Sequence, residues 1–332
     1  MRSTILLLVF LLAGSHAFAQ QHILKSPDGS IELKVKYDTL VHWQVDRGDK
    51  KLILPSEISM ELATEEFPSA KDRIKKVEII DVDETIMPAV AHKDSEIRDM
   101  YRQMTIEFKS GFTLVFRAYN DGVAYRFKTD FKGNVIVLNE KAEINFPGGT
   151  EAWYPLEEGF MSHNERSYIA TSLDTIKEGH LASLPALFKT GGINVLVTES
   201  DLEDYPGMWL RGNGSNSLKA VFPYYPDEER LYGDRNLRVM SRRDFMAEAV
   251  GERSFPWRTF VITDNDAGLV ESNLTYLLAG ECRMEETGWI KPGKVAWDWW
   301  NSLNIYGVDF RAGLIGSSFV GDHHAPRSCL LE

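Results

Sequence analysis

The 332-residue sequence holds only two cysteines, Cys282 and Cys329, far apart along the chain. A disulfide framework is therefore not its stabilising device, and no Cys or His pair has the spacing of a zinc site. The one adjacent histidine pair, His323-His324, reads as exposed tail. Beyond the first residues no apolar run is long enough to span a bilayer. Clustered positive charge is missing too, with 37 Lys and Arg against 49 Asp and Glu and a net charge of −12. Nucleic-acid binding needs concentrated positive charge against phosphates, so that class is excluded. No Ser/His/Asp arrangement, glycine-rich phosphate loop, nucleophilic cysteine context, internal repeat or low-complexity segment is visible.

What is present begins with a leader. Arg2 precedes an apolar run from Ile5 to Leu12, and Ala17-Phe18-Ala19 forms a small-x-small cleavage site. This is the layout of a secretory signal peptide over 1–19, and it predicts a periplasmic or secreted protein cleaved after Ala19. No Cys stands directly after that site, which argues against lipid attachment there. Loss of Arg2 with the leader takes the charge from −12 to −13.

From 20 to about 264 the pattern is strand after strand. Ile31, Leu33, Val35 and Tyr37 alternate with Glu32, Lys34 and Lys36, the period-2 signature of a half-buried strand. Strands are predicted over 105–108, 112–119 and 123–129, with Asn120-Asp121-Gly122 as a hairpin turn because Asp-Gly tolerates φ > 0. Further strands are predicted over 186–189, 193–198 and 255–263. Many short strands with regular turns favour a large β-sandwich.

At Asp264 the pattern changes. Asp264 or Asp266 can cap a helix over 267–278 with an apolar face of Leu269, Leu274, Leu277 and Leu278, ended by Gly280. After a loop, Val295-Ala296-Trp297-Asp298-Trp299-Trp300-Asn301 reads as a buried strand opening a second domain. Too few residues follow it here to complete a barrel, which takes about 250. The stretch 314–332 shows neither strand nor helix pattern and reads as a read-through or frameshifted end.

Three stretches resemble glycoside hydrolase family 97, bacterial α-glycosidases. They are KPGKVAWDWWNSLNIYGVDFRAG (Lys291–Gly313), TESDLEDYPGMWL (Thr198–Leu210), and FPWRTFVI (Phe255–Ile262) beside YNDGVAYRF (Tyr119–Phe127). The resemblance implies an all-β super-sandwich N-terminal domain over 20–264. A linker helix and loop over 265–294 and the first strand of a truncated (β/α)8 barrel over 295–313 would follow. It implies an exo-acting enzyme that hydrolyses terminal α-linked glucose or galactose of an oligosaccharide, with calcium in the active site. Inverting members use glutamates as acid and base, and retaining members use an aspartate nucleophile, all later in the barrel. Glycoside hydrolysis needs two carboxyl groups about 5–10 Å apart across the scissile bond, at the ends of several barrel strands. One strand cannot supply them, so this polypeptide by itself is expected to be inactive. The other reading is a non-catalytic carbohydrate-binding β-sandwich protein.

Four residues stand out as site candidates. Glu199, in TESDL, matches the family's calcium-binding glutamate, and a hard carboxylate suits that ion. Without the resemblance it reads as a surface carboxylate at a strand end, with Asp201, Glu203 and Asp204 as a solvated acidic face. Trp299, Trp300 and Asn301, nearest the C-terminal end of the barrel strand, are the substrate-side candidates, since aromatic faces stack on pyranose rings. The competing role for each Trp is core packing. Asp298 is a lone carboxylate, not a nucleophile. Trp153, Tyr154, Tyr205, Trp209 and the Tyr224-Tyr225 pair could line a glycan surface or act as core and loop anchors.

Overall fold

The computed structural model describes residues 20–69, 72–233 and 236–293, and the backbone of 304–305 and 308–309. The leader, the strand 295–301 with Trp297 to Asn301, and the tail 314–332 lie outside the described residues.

The chain is almost all β. Ile31–Tyr37 forms as the alternation predicts, with Ile31, Leu33, Val35 and Tyr37 buried. It pairs antiparallel with Val41–Arg47, which sets Val35 opposite Trp43. Phe112–Tyr119 matches its predicted span. The next strand does not stop at Thr129 but runs over 24 residues, Gly122–Asn145. Its first part pairs with Phe112–Tyr119 and with Trp257–Thr263. Its last part pairs with Lys50–Leu62 and Ser217–Val221. One strand thus serves both layers of the sandwich, passing from sheet to sheet as a bent strand can. Between the layers lies one core, which includes Trp43, Tyr125, Phe127, Phe188 and Phe260.

The turn at 120–121 works differently from the expectation. Tyr119 pairs directly with Gly122 across a two-residue loop, and Gly122 does not have positive φ. Glycine is required there for space, because a Cβ would run into the Phe260 carbonyl oxygen and the Leu274 side chain.

The predicted helix 267–278 is two short helices, α1 Asp266–Glu271 and α2 Leu274–Leu277. Neither Asp264 nor Asp266 caps it. Asn265, in extended conformation, accepts from Gly268 N at 3.0 Å, while Asp264 pairs with Arg47 at 2.8 Å and Asp266 accepts from Asn194 at 3.0 Å. The apolar face survives the break: Leu274 and Leu278 are buried and Leu269 and Leu277 partly so, against Tyr101, Val115, Tyr119 and Trp257 on the outer sheet face.

Two compact units result. Among the described residues the first joins 20–83 with Met100–Ala279, and so includes both helices; the second joins Glu84–Asp99 with 280–293. Within the second, Thr287 Oγ1 donates to the Ala89 carbonyl at 2.8 Å.

Candidate functional site

The strand Ile193–Ser200 pairs antiparallel with Trp257–Thr263, which places Glu199 opposite Arg258 and Ser200 opposite Trp257. Every residue of Trp257–Thr263 is buried. Alternation then sends Arg258 inward with Phe260 and Ile262, and a buried guanidinium needs carboxylates.

Arg258 finds two. Its Nε and Nη2 donate to Oε1 and Oε2 of Glu140, both at 2.7 Å, a bidentate pair in which each side chain is 1% exposed. Its Nη1 donates to Glu199 Oε2 at 2.8 Å. The guanidinium also lies 4.9 Å from the Phe222 ring centroid, and Tyr205 Oη donates to Glu140 Oε2 at 2.9 Å. Burial alone would lower the Arg258 pKa, but the adjoining Glu140 and Glu199 carboxylates outweigh it and the net shift is upward. Burial first, and then Glu140, raises Tyr205 well above the ordinary phenol range, so it stays a donor.

Glu199 is not the surface-directed carboxylate of the sequence reading. Its side chain is 14% exposed and points to the inner face, because it shares the strand's inward register with Val195 and Val197. The Met208 N–H reaches both of its oxygens, at 3.1 and 3.0 Å. The TESDLEDYPGM stretch explains that geometry. Asp201 and Asp204 take φ of +59° and +46°, a left-handed conformation that Asp tolerates better than most residues. The chain thereby turns back so that Gly207 passes Glu199, where a Cβ would lie 3.2 Å from Oε1.

Two carboxylates and one guanidinium leave one negative charge over. Glu140 is sealed, and Glu199 is the member of the pair that reaches the surface. Burial raises the Glu199 pKa; Arg258 and the Met208 N–H oppose this and Glu140 adds to it. An ion with excess negative charge and spare oxygen lone pairs suits a hard cation. Glu199 therefore fits the role of one calcium ligand. Among the described residues no group of three or more His, Cys, Asp or Glu converges to complete such a site.

On the opposite face of the same strand end, Arg126 Nη1 pairs with Asp201 at 3.0 Å and its guanidinium lies 4.3 Å from the Trp257 ring centroid. Asp201 is thus an ion-pair partner, not part of a solvated acidic face, whereas Glu203 and Asp204 are exposed. Ser200 Oγ donates to the Thr275 carbonyl at 2.6 Å, tying the strand to α2.

The other candidates separate by burial. Tyr154 is core, its hydroxyl donating to the His180 and Leu210 carbonyls at 3.0 and 2.9 Å. Trp153 and Trp209 are half-buried, and Tyr224 and Tyr225 are exposed. Trp299, Trp300 and Asn301 lie outside the described residues. Sequence reasoning missed Arg258 and Glu140. The available signal was a lone Arg inside the apolar run FPWRTFVIT, which obliges a buried carboxylate partner.

A family model described as "Glycosyl-hydrolase 97 N-terminal" matches residues 24–280. A retaining alpha-galactosidase of Bacteroides thetaiotaomicron is 35% identical over 324 residues, covering 94% of this chain and 49% of that protein. A probable retaining alpha-galactosidase of Streptomyces bingchenggensis is 29% identical over 263 residues, covering 77% and 37%. The chain thus spans about half the length of one of these relatives and less of the other. Among solved structures, a Glycoside Hydrolase Family 97 enzyme of Pseudoalteromonas sp. strain K8, as an E480Q variant in complex with panose, superposes with a TM-score of 0.70 at 21% identity. That likeness covers 82% of this chain and 40% of that one.

Proposed function

The chain belongs to glycoside hydrolase family 97, of which it carries the N-terminal portion, and from that premise we propose that it serves an exported, exo-acting α-glycosidase. The substrate is an oligosaccharide with a terminal α-linked sugar. The two relatives above are named as a retaining and a probable retaining α-galactosidase, which supports galactose over glucose and retention over inversion. The β-domain contributes Glu199 as a ligand of the active-site calcium, and the surplus negative charge of the Glu199–Arg258–Glu140 cluster is the observation that carries this reading. When bound, calcium supplies positive charge near the scissile bond. This chain's own residues do the positioning. Arg258, fixed by Glu140, and the Met208 N–H hold the Glu199 carboxylate in one orientation. Trp299, Trp300 and Asn301 remain the proposed sugar contacts, and 1–19 the proposed signal peptide. Among the described residues no helix is long and apolar enough to cross a membrane.

The 332-residue polypeptide alone, with calcium present, is expected to leave aryl α-galactoside and aryl α-glucoside intact. Hydrolysis of either above a buffer control would overturn the placement of the reacting carboxylates outside it. A gene product carrying the full barrel is expected to release galactose with retained configuration. Inversion, or preference for the glucoside, would sink the finer assignment.

Glu199→Gln separates the metal role from a structural one. In a full-length enzyme it is expected to weaken calcium binding in calorimetric titration, with activity partly restored by excess calcium. Unchanged calcium affinity would defeat the ligand assignment. In the 332-residue chain the substitution is expected to leave the melt within roughly 2 °C at neutral pH, on the stabilised side. The sign follows from the raised pKa. A carboxyl whose folded pKa lies above its unfolded value favours the fold while protonated, and loses that contribution as pH rises through the folded value. Gln imitates the protonated form, so the gap between variant and parent should open above the ordinary glutamate range and close below it.

A further inference from the structure

A cleft of about 910 Å3 lies beside the loop 201–206, within the about 300–1,000 Å3 typical of ligand pockets. One wall is the base of the hairpin formed by Pro226–Tyr232 and Asn236–Arg242, and the floor is the strand Ala247–Ser254. Its lining includes Tyr224, Tyr225, Asp204, Glu248, Arg242 and Arg253.

The two tyrosines are 46% and 45% exposed, yet they are held firmly. Tyr225 N donates to the Phe245 carbonyl and Arg243 N to the Tyr225 carbonyl, both at 2.8 Å. The Tyr225 ring stacks on Phe245 with centroids 5.3 Å apart and 30° between planes. Arg242 Nη1 donates to the Tyr224 carbonyl at 2.5 Å. Aromatic faces kept in water on a rigid support are preorganised for a ligand with an apolar face. The polar groups narrow its chemistry. Arg253 is seated 5.0 Å from the Phe255 ring centroid, and its Nη2 donates to the Glu203 carbonyl at 2.8 Å. Against Arg242 and Arg253 stand the carboxylates of Glu203, Asp204 and Glu248, Asp201 being taken up by Arg126. A lining with more carboxylates than guanidiniums repels phosphates, sulfates and uronates. No three His, Cys, Asp or Glu converge among the described residues as a metal cage would require. An uncharged ligand with apolar faces and many hydroxyl donors meets all of these conditions.

We propose that this cleft is a non-catalytic binding site for a neutral oligosaccharide, with Tyr225 as the stacking platform and Glu248, Asp204 and Arg253 as hydroxyl partners. The site needs neither the barrel nor calcium. It therefore stands or falls separately from the Glu199 assignment.

The test is calorimetric titration of the 332-residue chain with maltotetraose and with raffinose, with sugar-induced shifts of the tyrosine ring resonances recorded by NMR. Binding of at least one sugar is expected with a dissociation constant on the order of 1 mM. Tyr225→Ala is expected to weaken it about tenfold or more, and Tyr225→Phe, which keeps the ring, by no more than about twofold. Shifts confined to Tyr224 and Tyr225 in the parent chain locate the site even if a variant folds poorly. Three results would overturn the proposal: no binding of either sugar, binding indifferent to Tyr225→Ala, or inorganic phosphate binding more tightly than the sugars.

Discussion

Arg258→Met is expected to destabilise the β-domain by about 3–5 kcal/mol, the usual penalty for removing one partner of a buried ion pair. The reason is what remains. Glu140, whose side chain is 1% exposed, would keep the Tyr205 hydroxyl but lose both guanidinium bonds. Glu199 would keep only the Met208 N–H. Two carboxylates, one of them sealed from water, would then share the site with no cation. Equilibrium urea unfolding of the 332-residue chain measures the loss as a fall in midpoint at unchanged m-value. A loss under about 1 kcal/mol would mean that water reaches the cluster. The double variant Arg258→Met, Glu140→Met should recover much of the stability, because an apolar replacement of a whole buried pair is often neutral or better. The single variant should also regain stability on acidification, as the abandoned carboxyl takes up a proton that neutralises it.

Gly122→Ala is the second large effect. The added methyl would overlap the Phe260 carbonyl oxygen and the Leu274 side chain. The first of these is backbone within a buried, paired strand, so it cannot step aside as a flexible side chain would. Overpacking of this kind costs about 1–3 kcal/mol and occasionally more. Gly148→Ala makes the matched control, since nothing lies within 4 Å of its Cβ position and its φ is not left-handed. That change is expected to be neutral or to stabilise by about 0.4–1 kcal/mol through the unfolded chain. If both glycines tolerate alanine equally in thermal melts, α2 and the strand Trp257–Thr263 leave room for a methyl at Gly122.

Much of the fold was legible because its signals are local. Alternation over two or three residue pairs marked Ile31–Tyr37, and short apolar runs between turns marked Phe112–Tyr119 and the strands on either side of Gly191-Gly192. The run to Asn145 was not legible past Thr129. Val135 and Val137 are buried there, but charged and polar neighbours interrupt the pattern, and pairing with Ala247–Ser254 and Lys50–Leu62 keeps the strand extended. The helix after Asp264 was located but not its break at Ser272–Asn273. There Ser272 Oγ donates to Asp121 at 2.7 Å, a partner 151 positions away.

The candidate site divides in the same way. Local sequence determined that Glu199 ends a strand, that a tight, acidic, proline- and glycine-containing loop follows, and that a lone arginine sits in an apolar strand. Only the tertiary structure decided that the carboxylate turns inward, that Arg258 is its partner, and that Glu140 holds that arginine from 118 positions away. Periodicity reports which residues share a face, because backbone geometry repeats every two residues. It carries no information on which faces meet. That depends on strand pairings whose partners are distant in sequence, and on a buried charge being stable only where the completed fold brings its counter-charge.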